Sequence, residues 1–442
     1  MKRAALGVAI LSALLLPALG HAEVVPGSQG VQDSLLATAP DGSPRVGFVA
    51  ADGSLQVASR AADGTWSASA VSGLPGARSL VVGIAVRADG SSVVLAEDPG
   101  AHWLALAEQQ AAGWQVRTVA TAPANGLLGF GGLALTTAGR AVVAYAYEVA
   151  SGKTWLRLVT ESAAGALANE PVTKLGFPKS DSLPAVAPVV LASGAVRIEE
   201  AYANGTIEWA RTPNHKDWIG QFVYTNSIGS PAGVVQALAS GVGVWSAWTE
   251  LFPSFDESQL LLTLHAKGEH TTVLHHHAFL VGLVVPSSGP EVAADDYVDL
   301  NGHTVYAGLV VGADGTSMEL AGDLVGYALD GGARQYLLVE PDGLEWYRAT
   351  APPTTRVDLS AAVSGASFIL TGHVTGAGGG TVELWRETQA GATLAASLPL
   401  AADGSFTTTD LPPTRPLTYR AIYRDPANGG LPLASLVRTV LG

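Results

Sequence analysis

Short runs in which apolar residues alternate with smaller or polar ones, each stopped by a turn, fill the chain from about residue 35 to residue 350. The stretch from Val82 to Val119 is the template. Val82, Ile84 and Val86 alternate with smaller residues, the two-residue period of a strand. Asp89-Gly90 supplies a tight turn. Val93 to Ala96 is a short apolar run, suited to a strand covered on both faces. Asp98-Pro99-Gly100 stops it, His102 to Ala107 follows, and Trp114 to Val119 alternates again after Gly113. Four strands in about 40 residues make one antiparallel sheet. Such a sheet cannot bury its own faces without neighbours of the same kind.

Such units recur. Their first strands start near residues 35, 82, 133, 187, 235, 281 and 325, a spacing that fits the blades of a β-propeller. The expected fold is all-β, with a seven-bladed β-propeller over residues 23–349. The last unit, Leu324 to Arg348, has no evident fourth strand. A ring must close, so the segment from Glu23 to Pro26 is expected to supply it. Residues 350–355 read as a Pro-rich linker. From residue 356 to residue 442 the texture changes, with period-two runs at Ser367 to Val374, Thr381 to Arg386, Leu417 to Tyr423 and Leu433 to Val440. With the Asp403-Gly404 turn, this segment resembles an immunoglobulin-like β-sandwich of the kind appended to secreted bacterial proteins.

Composition sets the compartment. Lys2 and Arg3, the apolar run Ala4 to Leu19 and the small-residue site Gly20-His21-Ala22 read as a secretory signal over residues 1–22. The expected location is periplasm, cell surface or extracellular space, with no integral membrane segment once the signal is cut. Apolar residues make up 48% and charged residues 14%, so burial dominates. The chain has no Cys, which excludes disulfides, Cys-zinc sites and thiol nucleophiles together. Losing Lys2 and Arg3 with the signal takes the formal charge from −14 to −16. Acidic charge without a basic patch argues against nucleic acid and anionic membranes.

Residues 59–66, Ser-Arg-Ala-Ala-Asp-Gly-Thr-Trp, resemble the Asp-box of sialidase-like propellers. In that family the box lies at the turn between the third and fourth strands of a blade, as Asp63-Gly64-Thr65-Trp66 does here. Ala61 and Asp63 stand where the box has Asp and Gly. The resemblance implies the propeller rather than the activity, because Asp-boxes lie away from the sialidase site. The family's catalytic set is three arginines, a Tyr-Glu nucleophile pair and an Asp. Arg45, Arg197 and Arg334 lie on second strands, with Tyr145, Tyr147 and Tyr202 near others, but the Arg-Ile-Pro motif is missing.

Carboxylates recur where second strands end: Asp52, Glu97 (or Asp98), Glu148, Glu200, Glu250, Asp299 and Glu340. A ring of them would make an electronegative mouth for a cation or for sugar hydroxyls. Turn chemistry alone also places acids there. Asp299, Asn301 and Gly302 match part of a calcium loop without its closing Glu. His275 and His277 share a strand face and are expected to meet His265 across a hairpin, giving zinc-like ligation. A solvated outer strand is the plainer reading of the same histidines. Trp245 and Trp248 point to opposite faces of their strand. No cofactor is required by any motif, and calcium is the ion the pattern suggests. The function expected is a non-catalytic binding or scaffold protein that recognises an extracellular glycan or surface protein. A sialidase-type glycoside hydrolase and a purely structural envelope protein stay open, as does the oligomeric state.

Overall fold

The structure is a computed structural model that describes residues 22–98, 100, 102–129, 131–151, 153–175, 183–202, 205–211, 217–225, 230–252, 257–265, 270–276, 278–299, 304–349, 355–388, 391–411, 417–435 and 438–440. It is all-β apart from one 3-10 turn at Pro426–Asn428. Among the described residues no helix is long and apolar enough to cross a membrane.

Antiparallel sheets follow one another along the chain. Asp33–Thr38, Pro44–Val49, Leu55–Arg60 and Trp66–Ala70 form the first, paired in chain order. Leu80–Val86, Ser92–Glu97, Trp103–Gln110 and Gly113–Thr121 form the second. The third opens with Leu127–Leu128 and Gly132–Leu135, both on Ala141–Glu148, and the fourth with Ala185–Val190. The fifth opens with Ser230–Ser240, the sixth with Ala278–Val284 and the seventh with Asp323–Asp330. Each opening strand touches those of the two adjacent sheets, and that of the seventh touches that of the first. The opening strands thus form a closed ring.

Repeated turn chemistry makes the hairpins. Asp41, Asp52, Asp63, Asp89 and Asp314 each accept the backbone N–H two residues on, at 2.9–3.0 Å. The glycine between donor and acceptor takes a left-handed φ of 80–88° in every case, a conformation that costs glycine little. The Asp63 turn does join a third strand to a fourth, but its bonding is that of the other four.

Closure follows the expectation. The seventh sheet contributes Asp323–Asp330, Ala333–Glu340 and Gly343–Ala349, and Glu23–Val24 pairs with the last of these as a fourth strand. The Glu23 carboxylate accepts Arg60 Nε and a second guanidinium nitrogen at 2.6 and 2.7 Å, and Trp66 Nε1 at 2.7 Å. Arg60 also lies 5.0 Å above the Trp346 ring, which Trp66 meets edge-on at 6.1 Å. Val25 N–H donates to Leu344 O at 2.8 Å, and Val25 is fully buried. The first and last sheets are therefore joined through a strand from the start of the chain.

Glycines bring the opening strands together. A Cβ at Gly83 would stand 2.7 Å from Leu133 Cβ, at Gly282 2.9 Å from Tyr327 Cβ, and at Gly326 2.7 Å from Leu36 Cβ. Each glycine faces the opening strand of the next sheet. Each also follows a register shift, so that Val82, Val281 and Val325 are extra residues in their strands, the mark of a β-bulge.

The C-terminal residues form two layers. Arg356–Ser364, Ser367–Thr375 and Ser405–Asp410 make one sheet. Thr381–Thr388, Gly391–Pro399, Leu417–Asp425, Leu431–Ala434 and Arg438–Val440 make the other, which joins the sixth sheet through Leu320 and Leu433. Phe368, Leu370 and Phe406 face Leu384, Tyr419 and Tyr423 in one core, which continues into Leu320, Tyr336 and Tyr347 of the sixth and seventh sheets. Thr355 reaches Asp425 at 3.4 Å; the rest of the expected linker, residues 350–354, lies outside the described residues. Gly391–Pro399 (GATLAASLP) is rich in Ala, a poor strand former, and its alternation is not evident in the sequence.

Removing residues 23–31 should lower the melting temperature by roughly 10 °C or more, because it strips Val25 and Glu23 from the join; an unchanged melting temperature would contradict closure. Gly326→Ala should destabilise by about 1–3 kcal/mol in urea titration, from overpacking against Leu36.

Candidate functional site

The opening strands enclose a cavity of about 700 Å³ on the ring's axis, to which all seven sheets contribute. The bulged Val82, Val281 and Val325 line it, with Leu and Ala side chains between them. Each opening strand pairs on one side only, so alternate backbone N–H and C=O groups on its free edge face the axis. The surface offered is thus aliphatic side chains interleaved with backbone hydrogen-bonding groups.

Four polar side chains also line it: Asp33, Thr38, Gln236 and Tyr327. Asp33 Oδ2 accepts Val81 N–H of the next sheet at 2.8 Å, and burial pushes its carboxyl above the ordinary range. Gln236 is held at both ends, donating to Val281 O at 3.0 Å and accepting Leu283 N–H at 2.9 Å. Tyr327 donates to Glu291 at 2.5 Å, and burial raises its phenol pKa. Thr38 Oγ1 has no hydrogen-bond partner. The aliphatic runs around Asp33 and Gln236 are plain in the sequence. A polar residue inside an otherwise apolar run was the signal for Gln236; Asp33, at the head of its strand, carried none.

The carboxylates singled out in the sequence differ in burial and in partners. Asp52 sits on an exposed hairpin and is tied to Ser54, whose hydroxyl and N–H hold its carboxyl below the usual range. Asp98 bonds His102 at 2.7 Å. Glu97 is 3% exposed and accepts Gly131 N–H of the third sheet; burial pushes it up to about 8, and its Oε2 has no partner. Glu200 is fully buried, accepts Trp209 Nε1 at 2.6 Å, and is pushed by burial up to about 7. Glu250 is buried, and Glu148 half-buried opposite Leu127. Burial also raises Glu340, a rise augmented by Glu345 and opposed by Arg424 and Arg420 of the C-terminal layers. Among the described residues none of Asp52, Glu97, Glu148, Glu200, Glu250 and Glu340 lines the cavity. These acids thus sit on an exposed hairpin (Asp52), in a seam between sheets (Glu97) or closed to solvent (Glu200). Asp299 pairs by backbone with Thr304; its side chain and Asn301 lie outside the described residues.

The zinc arrangement is corrected by strand register. His275 lies opposite Leu260, five residues from His265 on the same strand, a separation of roughly 16 Å. The two histidines therefore occupy opposite ends of the hairpin; His277 lies outside the described residues. The arginines are engaged separately: Arg197 with Glu208 at 2.8 Å, Arg334 with Glu291 at 2.5 Å, and Arg45 with Ser43 at 2.8 Å. Trp245 and Trp248 do pack into different seams, Trp248 against the fourth sheet and Trp245 against the sixth.

No family model matches the chain, and no curated protein matches it. The solved structures it is similar to are β-propellers. AofleA from Arthrobotrys oligospora is 13% identical, with a TM-score of 0.42 over 70% of this chain and 94% of that one. An oligogalacturonate lyase in complex with manganese is 10% identical, with a TM-score of 0.46 over 76% and 99%. The Aleuria aurantia lectin, a mutant in complex with Fucalpha1-6GlcNAc, is 12% identical, with a TM-score of 0.40 over 75% and 99%.

Glu97 and Glu200 have raised pKa values, so the folded state holds their protons more tightly than the unfolded chain does. Their contribution is present in full below about pH 4.5 and is lost as pH rises through about 7 and 8. Thermal melts of Glu97→Gln and Glu200→Gln between pH 5 and pH 9 should fall less steeply than wild type. Parallel curves would show that neither group carries a proton in the fold.

Proposed function

We propose that residues 23–349 form a seven-bladed β-propeller and residues 356–442 an immunoglobulin-like β-sandwich, in a secreted protein that binds an extracellular ligand without turning it over. The closed order of seven opening strands supports the first part. The strand order of the two C-terminal layers supports the second. Removal of residues 1–22 during export would leave Glu23, the closing strand's first residue, at the start of the mature chain.

The observation that carries the binding reading is the lining of the axial cavity. Aliphatic side chains and free strand edges converge there, while Glu97, Glu200 and Glu250 are buried and do not line it. A glycosidase needs two accessible carboxyl groups on one substrate, whereas Glu200 is closed to solvent. Of the two ligand classes, a surface protein fits better than a glycan. An extended segment offers both apolar side chains and backbone partners to such a lining, and a sugar's hydroxyls would meet mostly Leu, Val and Ala.

The mature protein should bind immobilised extracellular proteins in a panel that also includes a glycan array, and should leave glycosidase substrates intact. Leu238→Asp, at a cavity-lining side chain that is 40% exposed, should weaken binding at least roughly tenfold without a change in melting temperature. Turnover abolished by Glu200→Gln would overturn the reading. An absence of both binding and turnover would favour a structural envelope role.

A further inference from the structure

The seam between the sixth and seventh sheets holds an acid pair that neither closure nor the cavity explains. Asp295 lies on the second strand of the sixth sheet, opposite Phe279 and Gly308. Asp323 is the first residue of the seventh sheet's opening strand, opposite Val339. Gly308, paired with Asp295, packs its face on Leu324, the residue after Asp323, so the Asp295 carboxyl group meets that of Asp323 across the seam within hydrogen-bonding reach. Two carboxyl groups bond in this way only when one of them carries a proton. The other Asp295 oxygen, Oδ1, is buried without a partner.

The surroundings hold the two together. Gly308 N–H donates to Gly322 O at 2.8 Å, and a Cβ at Gly308 would stand 2.7 Å from Leu324 Cβ. The backbone beside the pair is therefore in close contact, which keeps the two acids on facing strands.

The charges facing the seam are acidic. Asp296 acts on Asp295 from the same strand. Glu340 comes within 3.6 Å of where Gly322 would carry a Cβ, and Glu319 lies on the sixth sheet's outer strand. The cations of the same sheets are engaged elsewhere, Arg334 with Glu291 and Arg348 with Asp330. Arg420 bonds Glu387, and Arg424 acts on Glu340 rather than on the pair.

We propose that Asp295 and Asp323 form a proton-sharing latch between the sixth and seventh sheets, one that loosens when the shared proton leaves for water in alkaline solution. Loss of that proton converts one carboxylic acid and one carboxylate into two carboxylates, with no cation between them among the described residues. Burial, with the Asp323 charge and hydrogen bond and the Asp296 charge, pushes Asp295 up to about 9, and burial raises Asp323 as well. The latch therefore holds through neutral pH. Its stabilisation is complete below about pH 4 and is lost as pH rises through about 9. The sixth and seventh sheets are also those that share a core with the C-terminal layers, so loosening there reaches both parts of the chain.

Three measurements on the full mature chain test the latch. Infrared difference spectra should show a protonated-carboxyl stretch at pH 7 that is lost by about pH 10, and that is smaller in both Asp295→Asn and Asp323→Asn. Asparagine imitates the protonated acid, so the melting temperature of either variant should fall less between pH 6 and pH 9.5 than that of wild type. Amides from Gly322 to Gly326 should exchange faster at pH 9.5 than at pH 6, after correction for intrinsic rates, and less so in Asp295→Asn. Parallel melting curves, or a carboxyl stretch unchanged in both variants, would overturn the proposal. So would a few millimolar calcium restoring the wild-type melting temperature at pH 9.5 but having no effect on Asp295→Asn, because the pair would then be a cation site rather than a proton latch.

Discussion

A ring of sheets holds only if its last sheet is fastened to its first, and among the described residues the seventh sheet has three strands of its own. The fourth comes from the beginning of the chain, and its Glu23 is gripped by Arg60 and Trp66 of the first sheet. With no cysteine to cross-link the ends, closure rests on that carboxylate, on buried Val25 and on the stacking of Trp66, Arg60 and Trp346. Both ends of the ring sequence are held in one sheet, so neither can fray without breaking contacts that are hundreds of residues apart in the chain. The axial cavity exists only while this join holds.

Closure also dictates how the seams are built. Among the described residues the opening strands crowd one axis, and Gly83, Gly282 and Gly326 let neighbouring strands approach where a side chain would collide. Polar groups that this packing buries must find partners across the seam, since an unpaired buried group costs on the order of 1–3 kcal/mol. Asp33 takes Val81 N–H, Glu97 takes Gly131 N–H, and Thr249 takes Leu280 N–H at 2.7 Å while donating to Ala278 O. At the hairpin end of the second and third sheets, Arg87 donates to Gly139 O at 2.8 Å, and it shares Glu108 and Glu161 with Arg117. Glu97, which reads as part of a ligand surface in the sequence, thus serves to stitch one sheet to the next.

The architecture was largely legible because it is written in local signals. Two-residue alternation and Asp-Gly turns located the opening strands to within a few residues, and the missing fourth strand after Arg348 pointed to Glu23. The site was less legible. An acid at the end of a second strand reaches a hairpin, a seam or a core according to which face it takes and what the next sheet places there, and neither is a local property. Glu97 and Asp52 are alike in sequence position and opposite in burial. The histidine pairing failed for a related reason: a plausible shared face was assumed without the register that puts His275 opposite Leu260. The Val-Gly steps at 82–83, 281–282 and 325–326 were visible as a repeat, but their meaning as bulges packed on the next sheet depends on contacts between units.

The C-terminal layers extend the same logic. Tyr419 and Arg386 converge on buried Asp410, whose carboxyl is held low by the guanidinium first, while Leu433 extends the sixth sheet and the core runs on into Tyr336 and Tyr347. The chain is braced at both ends of the ring sequence, by its first strand and by its last layers. Native-state hydrogen exchange of the Val25 amide tests the central claim most directly. If the first strand closes the ring, this amide should exchange only through global unfolding, with the same free energy as amides in the middle of the second sheet. Exchange at the rate of a frayed terminus, with the second sheet still protected, would contradict the account.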